Sequence, residues 1–148
     1  MQHLVEFAGN HAMLASLFVL VSAALAWNLL GGNLSGIEEL GPLQATQLIN
    51  HEEAVVVDVR EDNEFAGGHI IHSLHIPMSA LKDKLKRLEK YRERPIILSC
   101  RSGARSLNAA SLLKKSGFQR VYNLKGGVLA WQNANLPLTT QKVLASKS

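Results

Sequence analysis

Cysteine is scarce in this chain, whose 148 residues include only Cys100. A single cysteine excludes a disulfide within the chain and a zinc site made of several thiolates. Cys100 is therefore either a reactive thiol or a small buried apolar side chain. The chain is also too short for two full domains, so its length allows one compact domain with a short appendage.

Charged residues are few, at 19% of the chain, and 16 Lys and Arg against 12 Asp and Glu give a net charge of +4. This small basic excess suits a membrane surface or small anions, and no nucleic-acid-binding motif accompanies it. We therefore predict no nucleic-acid partner. The basic stretch at 82–94 is interpreted as a solvated face, with contact to anionic lipid or an acidic protein as the alternative.

One long apolar run is present, from Ala12 to Leu30, and it has no charged residue. Its length matches the roughly 20 residues that a helix needs to cross a bilayer, and Trp27 lies where an interfacial aromatic is expected. The run predicts a transmembrane helix over 12–30, preceded by an N-terminal flank at 1–11. A cleaved secretory signal is one alternative, although residues 1–11 contain no Lys or Arg, and a buried core helix is the other.

Alternating strand and helix patterns follow the apolar run. Apolar and β-branched runs predict strands at Ile37–Leu40, Ala54–Val59, Ser73–Ile76, Ile96–Ser99 and Val121–Leu124. Helical spacing predicts helices at Pro42–Asn50, Ser79–Tyr91, Ala104–Ser116 and up to Trp131, with a turn or short helix at Glu61–Gly68. This order predicts an α/β domain with a mainly parallel sheet over 37–138, after a linker at 31–36 and before a polar tail at 139–148.

The order of strand, Cys100 and helix predicts an anion-binding site. The loop Cys100–Ser106, CRSGARS, follows a strand directly and leads into a helix. Open α/β sheets bind ligands at the carboxyl ends of their strands, and a helix N-terminus offers backbone N–H groups to negative charge. Arg101 and Arg105 add positive charge, and Gly103 allows the backbone to curl around an anion. We therefore predict that Cys100 is a thiolate nucleophile.

Three further segments accompany this loop: Asp58-Val59-Arg60, then Gly68-His69-Ile70 with Ser73 and Ile76-Pro77, and finally Leu124-Lys125-Gly126-Gly127 ahead of Trp131. Together with the loop, they resemble the rhodanese-like family of sulfurtransferases over 37–137. Each segment alone is a weak signal, but the ordered set with CRSGARS is specific. With its N-terminal apolar run, the chain is similar to bacterial membrane-bound rhodanese proteins of one domain.

The resemblance implies a parallel sheet flanked by helices and a covalent reaction. Cys100 would take the outer sulfur of thiosulfate or a similar sulfur-containing anion as a persulfide and pass it to an acceptor, an unknown thiol or protein. The residues that would bind this sulfur are Arg101, Ser102, Gly103, Ala104 and Arg105. Asp58, Arg60 and Ser106 are expected to support the site, and no metal or organic cofactor is expected.

The predicted location is the inner (cytoplasmic) membrane, crossed once, with the lipid bilayer as a partner. The C-terminal domain is expected in the cytosol, because Lys and Arg are concentrated there and an unpaired thiol must stay reduced.

Two other functions remain open. A rhodanese-like module without activity would use the anchor to recruit partners at the membrane. A thiolate phosphatase or arsenate reductase would use the same Cys100, but the six residues from Cys100 to Arg105 match the sulfur-transferring branch, whereas related phosphatases have a loop one residue longer.

His69, His72 and His75 recur every third residue on a turn and short strand, where they do not converge on a metal. His72 and His75 also depart from the family pattern, which has a small residue and Asn there.

Overall fold

The computed structural model describes residues 12–31 and 36–141, without the side chains of 28–31. The predicted flank at 1–11, and most of the predicted linker and polar tail, lie outside these residues. The chain divides into two compact units, the first ending at Gly36 and the second beginning at Ile37.

Within the described residues of the first unit, Ala12–Gly31 forms one helix, α1. It contains no charged residue, and its large apolar side chains are exposed, with Phe18 at 73% and Leu20 at 68%. Across the described part of the chain, however, we find no helix whose length and apolar character would let it cross a membrane. The segment is helical, but the transmembrane helix predicted over 12–30 is not supported.

The second unit is an α/β domain built on a five-stranded sheet. In spatial order the strands are β1 (Glu38–Leu40), β6 (Val121–Leu124), β5 (Ile96–Ser99), β2 (Val55–Asp58) and β4 (Leu74–His75). Every neighbouring pair in this sheet is parallel, which confirms the predicted α/β class. Because β2 and β5 are buried throughout, their sequences are almost continuously apolar.

Helices pack against this sheet and enclose two hydrophobic clusters. Side chains of α2 (Pro42–Glu52), α4 (Ala104–Lys115) and α5 (Gly127–Asn133) belong to these clusters, whereas the short helix α3 (Asp62–Ala66) contributes no side chain to either. Successive side chains of a strand point to opposite faces, so Val57 and Leu98 join one cluster while Val56 and Ile97 join the other. Both clusters fix the position of β5, the strand that ends beside Cys100.

Residues 78–91 do not form the continuous helix that the sequence predicted for Ser79–Tyr91. They contain two 3-10 helices, Met78–Ala80 and Leu85–Tyr91, with turns between them. Leu85, Leu88 and Tyr91 recur every third residue, which is the repeat of a 3-10 helix, and all three pack on the core. The prediction assumed a repeat of 3.6 residues, whereas this tighter winding packs the buried Leu88 and the half-buried Leu85 and Tyr91 on the same core.

A second, two-stranded sheet was not predicted. Its antiparallel strands are β3 (His69–Ile70) and β7 (Leu138–Thr139), with His69 opposite Thr139. Two residues are too few to produce a periodic signal in a sequence, so these strands could not be identified in that way.

Two glycines let α5 pack against the loop that follows β5. Gly126 and Gly127 have positive φ angles of 74° and 60°. The N–H of Val128 donates to the Cys100 carbonyl oxygen at 2.8 Å. A Cβ atom on Gly127 would lie 2.6 Å from the carbonyl carbon and oxygen of Arg101, which is closer than real contacts of this kind. Only glycine therefore allows this approach.

Gly127→Ala is expected to lower the free energy of unfolding by more than about 2 kcal/mol, because its methyl group would collide with the backbone carbonyl groups of Cys100 and Arg101. Gly67→Ala is the matched control, since Gly67 has a φ of −71° and the nearest atoms lie 3.6 Å from an added Cβ. We expect the control to leave stability unchanged or to raise it by up to about 1 kcal/mol. Urea unfolding measures both, and equal stabilities would contradict the tight packing at Gly127.

Candidate active site

Cys100 lies at the carboxyl end of β5, between the ends of β6 and β2. The chain then turns within three residues and enters α4 at Ala104. The thiol is thus placed between the sheet edge and a helix N-terminus, as the sequence predicted. It is buried, with Cys100 only 1% exposed.

The loop curls so that backbone groups point at the sulfur. The N–H of Gly103 donates to Cys100 Sγ at 3.1 Å, and the hydroxyl oxygen of Ser106 lies 3.4 Å from it. Gly103 has a φ of +97°, and a Cβ there would lie 3.1 Å from the Gly126 nitrogen. Glycine is therefore required at position 103 both by the turn and by the close approach of the neighbouring loop.

Opposing effects act on the pKa of the Cys100 thiol. Burial raises it, since a charged sulfur is poorly solvated there. Hydrogen bonds act in the opposite direction, from the Ser106 hydroxyl and from the backbone amides of Ser106, Gly103 and Ser102. Together the hydrogen bonds lower the pKa of Cys100 more than burial raises it, so this pKa lies below its usual value. The loop therefore favours a thiolate in a place where water can do little to stabilise one.

Arg105 is held by a carboxylate that the sequence analysis did not identify. Its guanidinium makes two hydrogen bonds to Glu64 of α3, at 2.7 and 2.8 Å. This pairing lowers the pKa of Glu64 to about 2 and raises that of Arg105. The only sequence signal for Glu64 is its place in the polar segment 61–68. Glu64 of α3 thus fixes the direction in which the Arg105 side chain points.

Asp58 and Arg60 form a buried ion pair. The shortest contact, 2.6 Å, joins Arg60 Nη2 to Asp58 Oδ2, and Arg60 also donates to the Gly68 carbonyl oxygen at 2.8 Å. His75 donates from Nε2 to the Arg60 carbonyl oxygen at 2.8 Å. These contacts join the end of β2 to the turn at Gly68. The geometry gives Asp58 and Arg60 a structural role beside the site.

Three of the predicted binding residues, Arg101, Ser102 and Ala104, are exposed. These three loop residues face solvent, whereas Gly103 and Ser106 are buried beside the sulfur. Arg101 also lines a cleft of about 270 Å³ whose other walls include Arg60, Glu64, Leu129 and Leu138. The two loop cations therefore differ, because Arg105 is tied to Glu64 while Arg101 stands at the surface of a cleft.

Two of the three histidines stack on one aromatic ring, and the third is exposed. The rings of His69 and His75 stack on Phe65, at centroid distances of 3.7 and 4.2 Å. His72 is exposed in a turn with a φ of +62°. Among residues 12–31 and 36–141, no group of three or more His, Cys, Asp or Glu is placed to hold a metal ion.

The fold and this loop identify the class of protein. The family model of the rhodanese-like domain matches residues 42–134, and the chain therefore belongs to the rhodanese-like domain family. Among solved structures, the rhodanese-related protein of Thermoplasma volcanium superposes with a TM-score of 0.64 at 29% identity, covering 70% of this chain and 99% of that one.

Curated relatives extend the comparison over nearly the whole chain. The Escherichia coli K12 protein YibN is 35% identical over 143 residues, which are 96% of this chain and 100% of YibN. Thiosulfate sulfurtransferase GlpE of Actinobacillus pleuropneumoniae serotype 7 is 34% identical over 102 residues, 69% of this chain and 93% of GlpE. The chain is thus similar to proteins named as sulfurtransferases.

Glu64→Gln is expected to lower the free energy of unfolding at pH 7 by about 0.5–1 kcal/mol, because the ion pair with Arg105 is only partly exposed to water. The folded carboxyl has a pKa of about 2 against an ordinary 4.5, so the pair stabilises the fold fully above pH 4.5 and loses this effect as pH falls toward 2.

Chemical unfolding from pH 7 to pH 2 measures this difference between the natural chain and Glu64→Gln. The difference should shrink below pH 4.5, and a difference that stays constant down to pH 2 would show that the ion pair is not its source. Glu38→Gln removes one exposed carboxylate on β1 and serves as the matched control for loss of a single negative charge.

Proposed function

We propose that the chain is a sulfurtransferase that carries a sulfur atom on Cys100 as a persulfide. The observation that carries this proposal is the loop in which backbone N–H groups converge on a buried sulfur of lowered pKa. Membership of the rhodanese-like domain family and the resemblance to named sulfurtransferases support it. A thiosulfate-like anion is the proposed donor, and a thiol or a protein is the proposed acceptor.

In the first step, the Cys100 thiolate attacks the outer sulfur of thiosulfate. A bond forms between Sγ and that sulfur, the S–S bond of thiosulfate breaks, and sulfite leaves with its electron pair. The negative charge thereby moves from Sγ to the outer sulfur of the persulfide. Backbone amides of the loop from Arg101 to Arg105 would stabilise this charge, as a helix N-terminus does for other anions.

In the second step, an acceptor thiolate or cyanide attacks the outer sulfur. The Sγ–S bond breaks, its electron pair returns to Sγ, and the Cys100 thiolate is regenerated. The same contacts that lower the pKa of Cys100 make it a better leaving group. Arg101, exposed at the cleft, supplies positive charge where an anionic donor would approach. Each step balances without a metal or organic cofactor.

The direct test is the intact mass of the full chain in detergent after incubation with thiosulfate. We expect a gain of one sulfur atom that cyanide then removes as thiocyanate, and no gain in Cys100→Ser. Absence of the gain in a folded chain would contradict the proposal. Release of phosphate from an aryl phosphate that depends on Cys100 would instead favour the phosphatase alternative.

We further propose that the chain is attached to the cytoplasmic membrane through α1, with residues 37–138 in the cytosol. Support comes from the 20 residues of α1, which include no Asp, Glu, Lys or Arg and expose large apolar side chains. Water is a poor solvent for such a surface, whereas acyl chains accommodate it. An unpaired Cys100 thiol also suits the reducing cytosol.

Phe18→Arg is expected to shift much of the chain from the membrane fraction to the soluble fraction, because a charge within an apolar helix opposes its transfer into lipid. Leu43→Arg is the matched control, since Leu43 is exposed on α2 and its change should leave the distribution unaltered. Fractionation of bacterial cells followed by alkaline carbonate extraction gives the readout. A natural chain found entirely in the soluble fraction would refute the attachment.

A further inference from the structure

The hydroxyl of Ser106 has one hydrogen and three possible acceptors. Its oxygen lies 2.6 Å from Asn123 Oδ1, 3.1 Å from the Gly103 carbonyl oxygen and 3.4 Å from Cys100 Sγ. Ser106 and Asn123 are both buried, so water does not supply another partner. A single hydroxyl hydrogen can serve only one of these acceptors well at a time.

The orientation of the Asn123 amide is fixed by its other neighbours. Its Nδ2 donates to Glu39 Oε2 at 3.0 Å and to the Gly103 carbonyl oxygen at 3.1 Å. Both of these oxygens can only accept, because Glu39 is a carboxylate and Gly103 contributes a carbonyl. Asn123 therefore presents Oδ1, an acceptor, to Ser106. Glu39 and Asn123 are register partners on the parallel strands β1 and β6, which places the carboxylate reliably.

We propose that Asn123 is a positioning residue that competes with Cys100 for the hydroxyl hydrogen of Ser106. When Sγ is uncharged, the short contact to Asn123 holds the hydrogen, and a lone pair of the hydroxyl faces the sulfur. When Sγ carries a negative charge, the hydroxyl rotates and donates to it, because a hydrogen bond to a charged acceptor is the stronger one. The hydrogen stays covalently bound to Ser106 throughout.

This inference rests on the proposed function. In sulfur transfer, the charge on Sγ is present before attack, absent in the persulfide and present again when the acceptor removes the outer sulfur. A hydroxyl that alternates between Asn123 and Sγ follows these changes while leaving no buried hydrogen-bond donor unpaired. Asn123 thereby limits how strongly Ser106 stabilises the thiolate.

The test is the rate of Cys100 alkylation by iodoacetamide as a function of pH, measured on the full chain without a sulfur donor. Asn123→Ala removes the competing acceptor, so the midpoint should fall by roughly half a unit to one unit. Ser106→Ala removes the donor, so the midpoint should rise. Asn123→Leu also removes the competing acceptor but fills more of the vacated space, so the same fall in the midpoint is expected. It replaces Asn123→Ala in the test if that variant fails to fold.

A double substitution separates positioning from a general structural effect. If Asn123 acts through the Ser106 hydroxyl, Ser106→Ala with Asn123→Ala should have the same midpoint as Ser106→Ala alone. A further shift in the double variant, or a rise in the midpoint of folded Asn123→Ala or Asn123→Leu, would overturn the proposal. Asn108→Ala, an exposed asparagine on the same helix as Ser106, is the matched control and should not move the midpoint.

The alkylation readout does not depend on sulfur transfer. A chain that gains no sulfur from thiosulfate, yet shows the expected midpoints, would contradict the proposed function and leave the role of Asn123 intact. A chain that forms the persulfide but fails the double-substitution test would support the proposed function and contradict the role of Asn123.

Discussion

The convergence of backbone N–H groups on the sulfur of Cys100 is the interaction on which the site depends. Burial opposes charge on this sulfur, since little water reaches it. The amides of the loop and the hydroxyl of Ser106 offset that cost and lower the pKa of the thiol. Without the loop geometry, the same cysteine would be one more apolar residue at the end of a buried strand.

The rest of the domain keeps that loop in place. The parallel sheet carries Cys100 to the edge where three strands end together, and α5 holds the carbonyl oxygens of Cys100 and Arg101 through its first backbone amides. Gly103 and Gly127 permit the close approach of these backbones. From α3, Glu64 fixes the direction of Arg105. The backbone packing at the two glycines and the ion pair of Arg105 thus both hold the loop that carries Cys100.

Sequence patterns predicted the sheet and the position of the thiol, because buried parallel strands are continuously apolar and Cys100 follows one directly. They did not predict the 3-10 winding at Leu85–Tyr91, where apolar residues repeat every three residues and a helical repeat of 3.6 is easily assumed. Glu64 and Asn123 were missed because their partners, Arg105 and Ser106, are distant in sequence. For Asn123 a signal existed, since it is a polar residue within an otherwise apolar strand.

A pH titration of the Gly103 backbone amide by NMR, in the 15N-labelled full chain and in Cys100→Ser, reports directly on the hydrogen bond to Sγ. We expect a downfield shift of the Gly103 proton as the thiol ionises, with a midpoint below that of an ordinary cysteine, about 8.5, and no such transition in the variant. A Gly103 signal that is insensitive to pH, or a midpoint at or above that of a free thiol, would contradict the claim that the loop stabilises a thiolate at Cys100.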